Sequence, residues 1–418
     1  MKIKQSILAA TILGMTLASC LPVDAEVLDR PSGIKIGERL TLRPYVSMSL
    51  TYDSNVNGSS KALDTKKDDF LWTVSPSLWL HYNAETWSLI LSGFYNYRQY
   101  FDSSHDRYNQ HNYGEDLRWN WANSTGTEKG WSLVLGQSYQ KITAADDLIL
   151  SNGENYNNDS QQFQLAAAIQ RRFNERWHGD VNASYYWLDY DNNTKNNYAY
   201  YGWDRILVGA EAGFAPSKWT DILVSGSYQY YNQDNLDGSS FDGSSQGYSI
   251  QGGLGSYMTE RISYRLLAGW SRFEYAGGES AANGFVYTAS GNWKIGETWN
   301  TMLLASSYYQ PSERQYGSQA RVDAVSWGIA KVMVRGKLRA TFDIRYRHET
   351  HESIMDSGMD YGLDIWTGRL GADYTLCRFM SLFAYAEYQN SMNDESSKHA
   401  GAYDYDRWRI TAGFRIQY

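Results

Sequence analysis

Eight arginines form the densest concentration of charge chemistry in this 418-residue chain. Arg265, Arg339, Arg345, Arg347, Arg369, Arg407, Arg409 and Arg415 fall on the polar phase of segments that alternate apolar and polar residues, so a period-two strand places each on the polar face. Guanidinium groups repeated along one face do not catalyse. They attract anions, and in a ring they tune which ions pass. Asp343, Asp373 and Glu387 share the same phase, and pairing with them would leave a balanced wall instead.

Other candidates for chemistry fail on spacing. His348-Glu349-Thr350-His351-Glu352 has the letters of a zinc-protease motif, but its histidines stand at i and i+3 rather than i and i+4, at a strand end rather than on a helix. Asp234-Asn235-Leu236-Asp237-Gly238 resembles a calcium loop, yet it lacks an acid at the first ligand position and the closing Glu, so a plain turn is the better reading. No Ser, His and polar orienter converge by phasing, and His81 and His178 read as ordinary polar-face residues. No catalytic residue, cofactor or metal is expected. Trp79, Phe94, Tyr186, Leu188, Phe383 and Tyr385 also lie on the polar phase, where large apolar groups in water are costly. Packing against an inward-folded loop is expected for them, with a sugar-binding track or a narrowed passage as alternatives.

The elements that carry these residues are long alternating strands. In the last segment Trp408, Ile410, Ala412, Phe414, Ile416 and Tyr418 share one face, and Arg407, Arg409, Thr411, Gly413, Arg415 and Gln417 share the other. Leu338 to Arg347 and Ile262 to Ser271 repeat the pattern. Short turns precede a recurrent aromatic, as in Asn83-Ala84-Glu85-Thr86-Trp87, Asn174-Glu175-Arg176-Trp177 and Gly296-Glu297-Thr298-Trp299. These starts recur at roughly 38 to 46 residues, the length of two strands, one tight turn and one long polar loop. From Leu40 onward this predicts an all-β, antiparallel up-and-down transmembrane barrel of about 18 strands with short periplasmic turns and long outer loops. Pro44 and Pro76 fall inside strands and predict bulges or later strand starts. The phase is ambiguous from Leu363 to Tyr374.

Composition agrees with a barrel in lipid. Aromatics make up 15% of the chain, with 35 Tyr and 16 Trp, the residues that gather at membrane interfaces. The polar average hydropathy is what alternation between a lipid face and a water face produces. A net charge of -8 argues against nucleic acid as a partner. A propeller also repeats near this period, but each repeat here has room for only two long strands.

Residues 1–25 read as an export signal: Lys2 and Lys4, then a short apolar run from Ser6 to Leu17. Val23-Asp24-Ala25 fits ordinary cleavage, while Leu17-Ala18-Ser19-Cys20 resembles a lipobox with Cys20 acylated. A closed barrel needs no lipid anchor, which favours cleavage after Ala25 and leaves Cys377 as the mature chain's single thiol. Residues 26–39 then form a periplasmic segment and 40–418 the barrel.

Tyr52-Asp53-Ser54-Asn55-Val56 and Thr73-Val74-Ser75-Pro76-Ser77-Leu78 resemble the opening of the second putative β-barrel porin family of bacterial outer-membrane proteins. The closing hairpins are similar to that family too. The resemblance implies a Gram-negative outer-membrane location, tolerance of the proline in the second strand, and a channel for passive diffusion of small polar or anionic solutes. Some such barrels are associated with exopolysaccharide export, which makes export or surface anchoring the alternative. Thr411-x-Gly413-x-x-Ile416-x-Tyr418 resembles the last-strand signal read by the barrel-assembly machinery. The expected partners are outer-membrane lipids, that machinery and small polar solutes, with a homo-oligomer also compatible.

Overall fold

A strand of 12 to 17 residues, the range found for the wall strands here, is long enough to cross a bilayer when tilted. Even the shortest extends roughly 40 Å along its axis and covers about 28 Å of depth at a 45° tilt. The computed structural model describes residues 33–56, 67–104, 109–123, 130–144, 158–190, 202–217, 219–233, 243–256, 261–275, 281–311, 318–353, 360–393 and 404–418. The expected export segment with Cys20, and the loop Asp234 to Gly238, lie outside them.

The strands in chain order are β1 (Ile34–Ile36), β2 (Leu40–Asp53), β3 (Asp69–Asn83), β4 (Trp87–Tyr100), β5 (Gln110–Ala122), β6 (Gly130–Ala144), β7 (Asn158–Arg172), β8 (Trp177–Tyr190), β9 (Trp203–Ser217), β10 (Thr220–Gln233), β11 (Ser245–Ser256), β12 (Ile262–Tyr275), β13 (Ala281–Ile295), β14 (Trp299–Pro311), β15 (Ser318–Met333), β16 (Leu338–Ser353), β17 (Tyr361–Cys377), β18 (Met380–Asn393) and β19 (Tyr405–Gln417). Each strand from β2 onward pairs antiparallel with the next, and β19 closes on β2 from Arg409↔Asp53 to Gln417↔Tyr45. The wall is therefore a closed barrel of 18 strands. Closure leaves no sheet edge, which is what lets strands sit in hydrocarbon. The three-residue β1 folds back on the start of β2 at the short-turn end.

Side chains sort by phase as the pleat requires. On β9, Ile206 and Val208 stand exposed toward lipid while Arg205, Glu211 and Ala215 are buried on the inner side. On β19, Trp408, Ile410 and Ile416 are exposed and Arg407 and Thr411 are buried. Aromatic pairs ring both ends of the outer wall. Tyr82 stacks on Trp87 at 4.9 Å and Phe379 on Tyr418 at 5.2 Å at the short-turn end; Tyr388–Trp408 at 4.5 Å and Tyr346–Trp366 at 4.4 Å do so near the loops.

The two prolines produce neither bulge nor delayed start. The β3–β4 ladder skips Ser75 and Pro76, yet Val74↔Tyr97 and Ser77↔Phe94 keep one register. The cost is confined to missing bonds at that step. Pro44 sits where the β19–β2 ladder ends, and its carbonyl accepts a bond from the Tyr418 amide at 3.2 Å, so its missing N–H is not required. The ambiguous phase on β17 also resolves. Leu363 and Arg369 lie inward opposite Glu349 and Asp343, and the confusion arose because an apolar inner residue precedes the charged ones.

β14 departs from the ideal wall. Its ladder with β13 runs only from Thr288↔Ser306 to Ile295↔Trp299, whereas its ladder with β15 continues to Pro311↔Gln319. Tyr309 shares the phase of lipid-facing Leu303, yet it is buried among Tyr186, Leu188, Trp203, Tyr231, Phe273 and Val286, most of which project inward from β8 to β13. Its carbonyl accepts a bond from Gln229 Nε2 of β10 at 3.3 Å. The loop end of β14 has thus left the wall and lies against the barrel's inner surface. Arg321 of β15 donates to the Phe285 carbonyl of β13 at 3.4 Å across the step so created.

Candidate functional site: the barrel interior

All eight arginines singled out by phase lie on inner-facing positions, and register brings most of them to carboxylates. Asp343 pairs across strands with Arg369, and Arg345 Nε lies 3.6 Å from Asp343 Oδ1. Arg347 Nε is 2.6 Å from Glu349 Oε1. Arg415 bonds Asp373, which in register faces Arg339. Arg409 lies 3.7 Å from Glu387 and 3.2 Å from Asp53. Arg265 is held by Glu211 three strands away. Eight guanidinium groups therefore stand among six carboxylates, and the wall keeps a small positive excess rather than a bare arginine ladder.

The most deeply buried ion pair on this wall depends on closure. Arg407 grips Asp53 with Nε at 2.8 and 3.0 Å from the two carboxylate oxygens and Nη2 at 2.5 Å, and both side chains are almost fully buried. Asp53 ends β2 and Arg407 opens β19, so the pair forms only when the last strand reaches the first. Beside it, Thr51 and Thr411 share a buried hydroxyl bond at 2.7 Å. A buried bidentate pair adds little net stability, but removing one partner strands a charge. The join is thereby held in one register.

The inward apolar residues divide into three groups. Tyr186 and Leu188 pack beneath the displaced end of β14, an inward-folded segment of the kind expected. Phe383 and Tyr385 are instead capped by cations: Arg415 lies 4.3 Å from the Phe383 ring centre and Arg369 3.8 Å from that of Tyr385. Trp79 and Phe94 are covered by neither and stay 46% and 42% exposed, against the expectation of packing. For Phe94 the reason is local, since its neighbours across the ladders are Ser77 and Gly114, too small to cover a ring; Trp79 has Ser92 on one side and Arg43 on the other.

Sequence reasoning concentrated the arginines in the C-terminal half. Arg43, Arg98, Arg118 and Arg205 also face inward, on β2, β4, β5 and β9, and Arg205 lies 5.7 Å from both the Tyr186 and Trp203 ring centres. Period-two phasing of those strands carried the signal. Asp53 and Glu349 were not recognised as inward partners because Asp53 ends β2 and Glu349 lies in the last stretch of β16, where alternation gives way to loop composition.

His348 and His351 lie on opposite faces of β16. His348 meets Asp364 at 2.9 Å on the outer face, and His351 meets Glu349 at 2.7 Å inside while stacking on Tyr361. An i, i+3 pair on a strand cannot converge on one ion. His178 is buried inside with Asp221 at 3.5 Å, while His81 faces the lumen. Cys377 is exposed in the β17–β18 turn region.

In the expected assembly signal, Ile416 and Tyr418 face outward and exposed. Gly413 faces inward, where an added Cβ would lie 2.7 Å from Phe383 Cζ and 2.8 Å from Ser49 Cβ. Packing alone requires glycine there.

A family model described as Putative beta-barrel porin 2 matches residues 30–418. The chain belongs to this family. It is an outer-membrane β-barrel of the porin type, and its place is the outer membrane of a Gram-negative bacterium. No curated protein matches it. Among solved structures it is similar to the outer-membrane protein opdK of Pseudomonas aeruginosa, at 11% identity and a TM-score of 0.42 over 90% of this chain and 99% of that one. It is also similar to the siderophore receptor PirA of Acinetobacter baumannii, at 9% identity and 0.43 over 92% and 81%. The ferric-catecholate import receptor Fiu of E. coli gives 9% and 0.40 over 92% and 82%. These are loose likenesses, and nothing those proteins bind passes to this barrel.

Proposed function

We propose that this porin-family barrel is a non-enzymatic channel for passive diffusion of small polar solutes, with a modest preference for anions. The observation that carries the reading is the inner face of β16 to β19 and β2, where arginines at Arg339, Arg345, Arg347, Arg369, Arg407, Arg409 and Arg415 outnumber the carboxylates among them. Barrels of this strand number leave an aqueous passage unless something fills it. The displaced end of β14 narrows that passage on one side.

The barrel reconstituted alone in a planar bilayer is expected to conduct steadily, and a potassium chloride gradient to give a reversal potential favouring chloride. Replacing Arg345, Arg347 and Arg409 together by Ser should shrink it to roughly half or less, because rings of fixed charge set such preferences. A silent barrel, or a triple variant with unaltered selectivity, rejects the reading. The second reading, export of a polysaccharide or surface anchoring, draws support from the amide-rich and aromatic wall of β3 to β7, next to β2.

Assembly belongs to the same proposal. Gly413, Ile416 and Tyr418 serve as the last-strand signal for the barrel-assembly machinery. Replacing Phe414 and Tyr418 by Asp should leave export intact and reduce insertion, since the lipid-facing charge adds up to about 2 kcal/mol to loss of the signal. Normal membrane yield of that variant removes the assignment.

A further inference from the structure

Two aromatic rings inside the barrel are left open, and their surroundings are specific. Trp79 on β3 and Phe94 on β4 are adjacent inner-facing positions, through the pairs Trp79↔Ser92 and Ser77↔Phe94. Other large inward aromatics are covered: Tyr186, Trp203, Tyr231, Phe273, Tyr309 and Phe383 are each 9% exposed or less. Phe94 lies against Gly114 of β5, close enough that an added Cβ would stand 2.8 Å from Phe94 Cε1. The glycine lets the ring lie down along the wall with one face free. Leaving two such rings in water costs hydrophobic free energy unless something apolar on one side meets them.

The polar groups beside the rings suit a hydroxylated ligand. On the same face of β5 stand Asp116, Arg118 and Asn120. Arg118 Nε donates to Asn120 Oδ1 at 3.0 Å, and Asn120 Nδ2 donates to Ser88 Oγ at 3.3 Å. Asp116 and Arg118 offset each other's charge within β5, and on the other side Arg43 of β2 stands across the ladder from Trp79. Farther round, the wall continues in amides, with Gln140 Nε2 donating to Gln162 Oε1 at 2.7 Å.

We infer that Trp79 and Phe94 form a docking platform for the pyranose rings of an oligosaccharide, with Asp116, Arg118 and Asn120 meeting its hydroxyls. A pyranose offers a face of C–H bonds to the negative face of an aromatic ring and a rim of hydroxyls to planar side chains. A purely apolar ligand would leave the polar neighbours of the rings unpaired. The inference rests on the reading of the lumen as water-filled.

The test uses the full barrel purified in an amine-oxide detergent, which carries no sugar, and titrated calorimetrically with maltohexaose and with cellohexaose. At least one hexasaccharide should bind, with Trp79→Ala and Phe94→Ala each weakening it about tenfold, the effect typical of losing an aromatic anchor. Trp79→Phe, which keeps an aromatic face, should retain binding, and lipid-facing Trp270→Ala should bind as the unaltered protein does. Heat-modifiable gel mobility checks that each variant is folded. Binding of neither sugar, or binding by the two alanine variants as tight as by the unaltered protein, overturns the platform. A barrel that binds sugar but does not conduct overturns the channel and leaves the platform; one that conducts but ignores both sugars does the reverse.

Discussion

On β16 to β19 and β2 the inner face carries arginines whose partners lie two residues along the strand or on a neighbouring strand, as in Arg347–Glu349 and Arg409–Glu387. On β3 to β7 the same phase of the same pleat carries Ser, Asn and Gln, an offset Asp116–Arg118 couple, Arg98 bonded to the Gln110 amide, and two bare rings. The backbone geometry is common to both regions. What differs is how each wall satisfies its polar atoms: one by pairs of opposite charge that exclude other ligands unless charge remains over, the other mostly by bonds to side-chain amides and hydroxyls, whose places a ligand's hydroxyls can take.

The largest effect should follow from breaking the closing pair. Asp53→Ala leaves Arg407 buried without its carboxylate and is expected to cost about 3–5 kcal/mol, whereas Gln140→Ala combined with Gln162→Ala should cost about 1 kcal/mol. Urea unfolding of the micellar barrel measures both. Equal losses would mean that the two walls do not differ energetically.

Glycine substitutions sharpen the contrast. Gly413→Ala sets a methyl against Phe383 and Ser49, and Gly114→Ala sets one 2.5 Å from the Tyr139 carbonyl oxygen as well as against Phe94. Each should cost about 1–3 kcal/mol through overpacking. Refolding of purified Gly413→Ala into liposomes, without assembly machinery, should be impaired if packing is the reason for glycine. Unimpaired refolding would assign Gly413 wholly to the signal. Gly114→Ala should in addition lose oligosaccharide binding, which Gly413→Ala should not.

The smallest effect is one of salt. At 1 M salt, where the Debye length is roughly 3 Å, ion preference set by the arginine wall should fade while saccharide binding on the neighbouring strands stays within about twofold. If both decline together, charge rather than stacking holds the sugar.

Much of the fold was legible because alternation is a local signal. Trp408 to Tyr418 displays its two faces in any extended conformation, and the turn before Trp87 or Trp177 needs only its own few residues. The recurrent hairpin length then predicts the strand number. Pro44 and Pro76 misled because the harm a missing N–H does depends on the neighbour strand's bonds. Tyr309 could not be read at all: its phase says lipid, and only the parting of β14 from β13 buries it.

Sequence alone determined the barrel, its lipid and water faces, the inward phase of the eight arginines and the opposed faces of His348 and His351, since each follows from a pleat of period two. Tertiary structure decided the partners. Which carboxylate meets which arginine depends on register between strands, and the Asp53–Arg407 contact joins residues 354 apart in the chain. Whether an inward ring is packed beneath β14, capped by a guanidinium or left bare as Trp79 and Phe94 are depends on what the closed wall brings over it. Those contacts are long-range, and no local pattern encodes them.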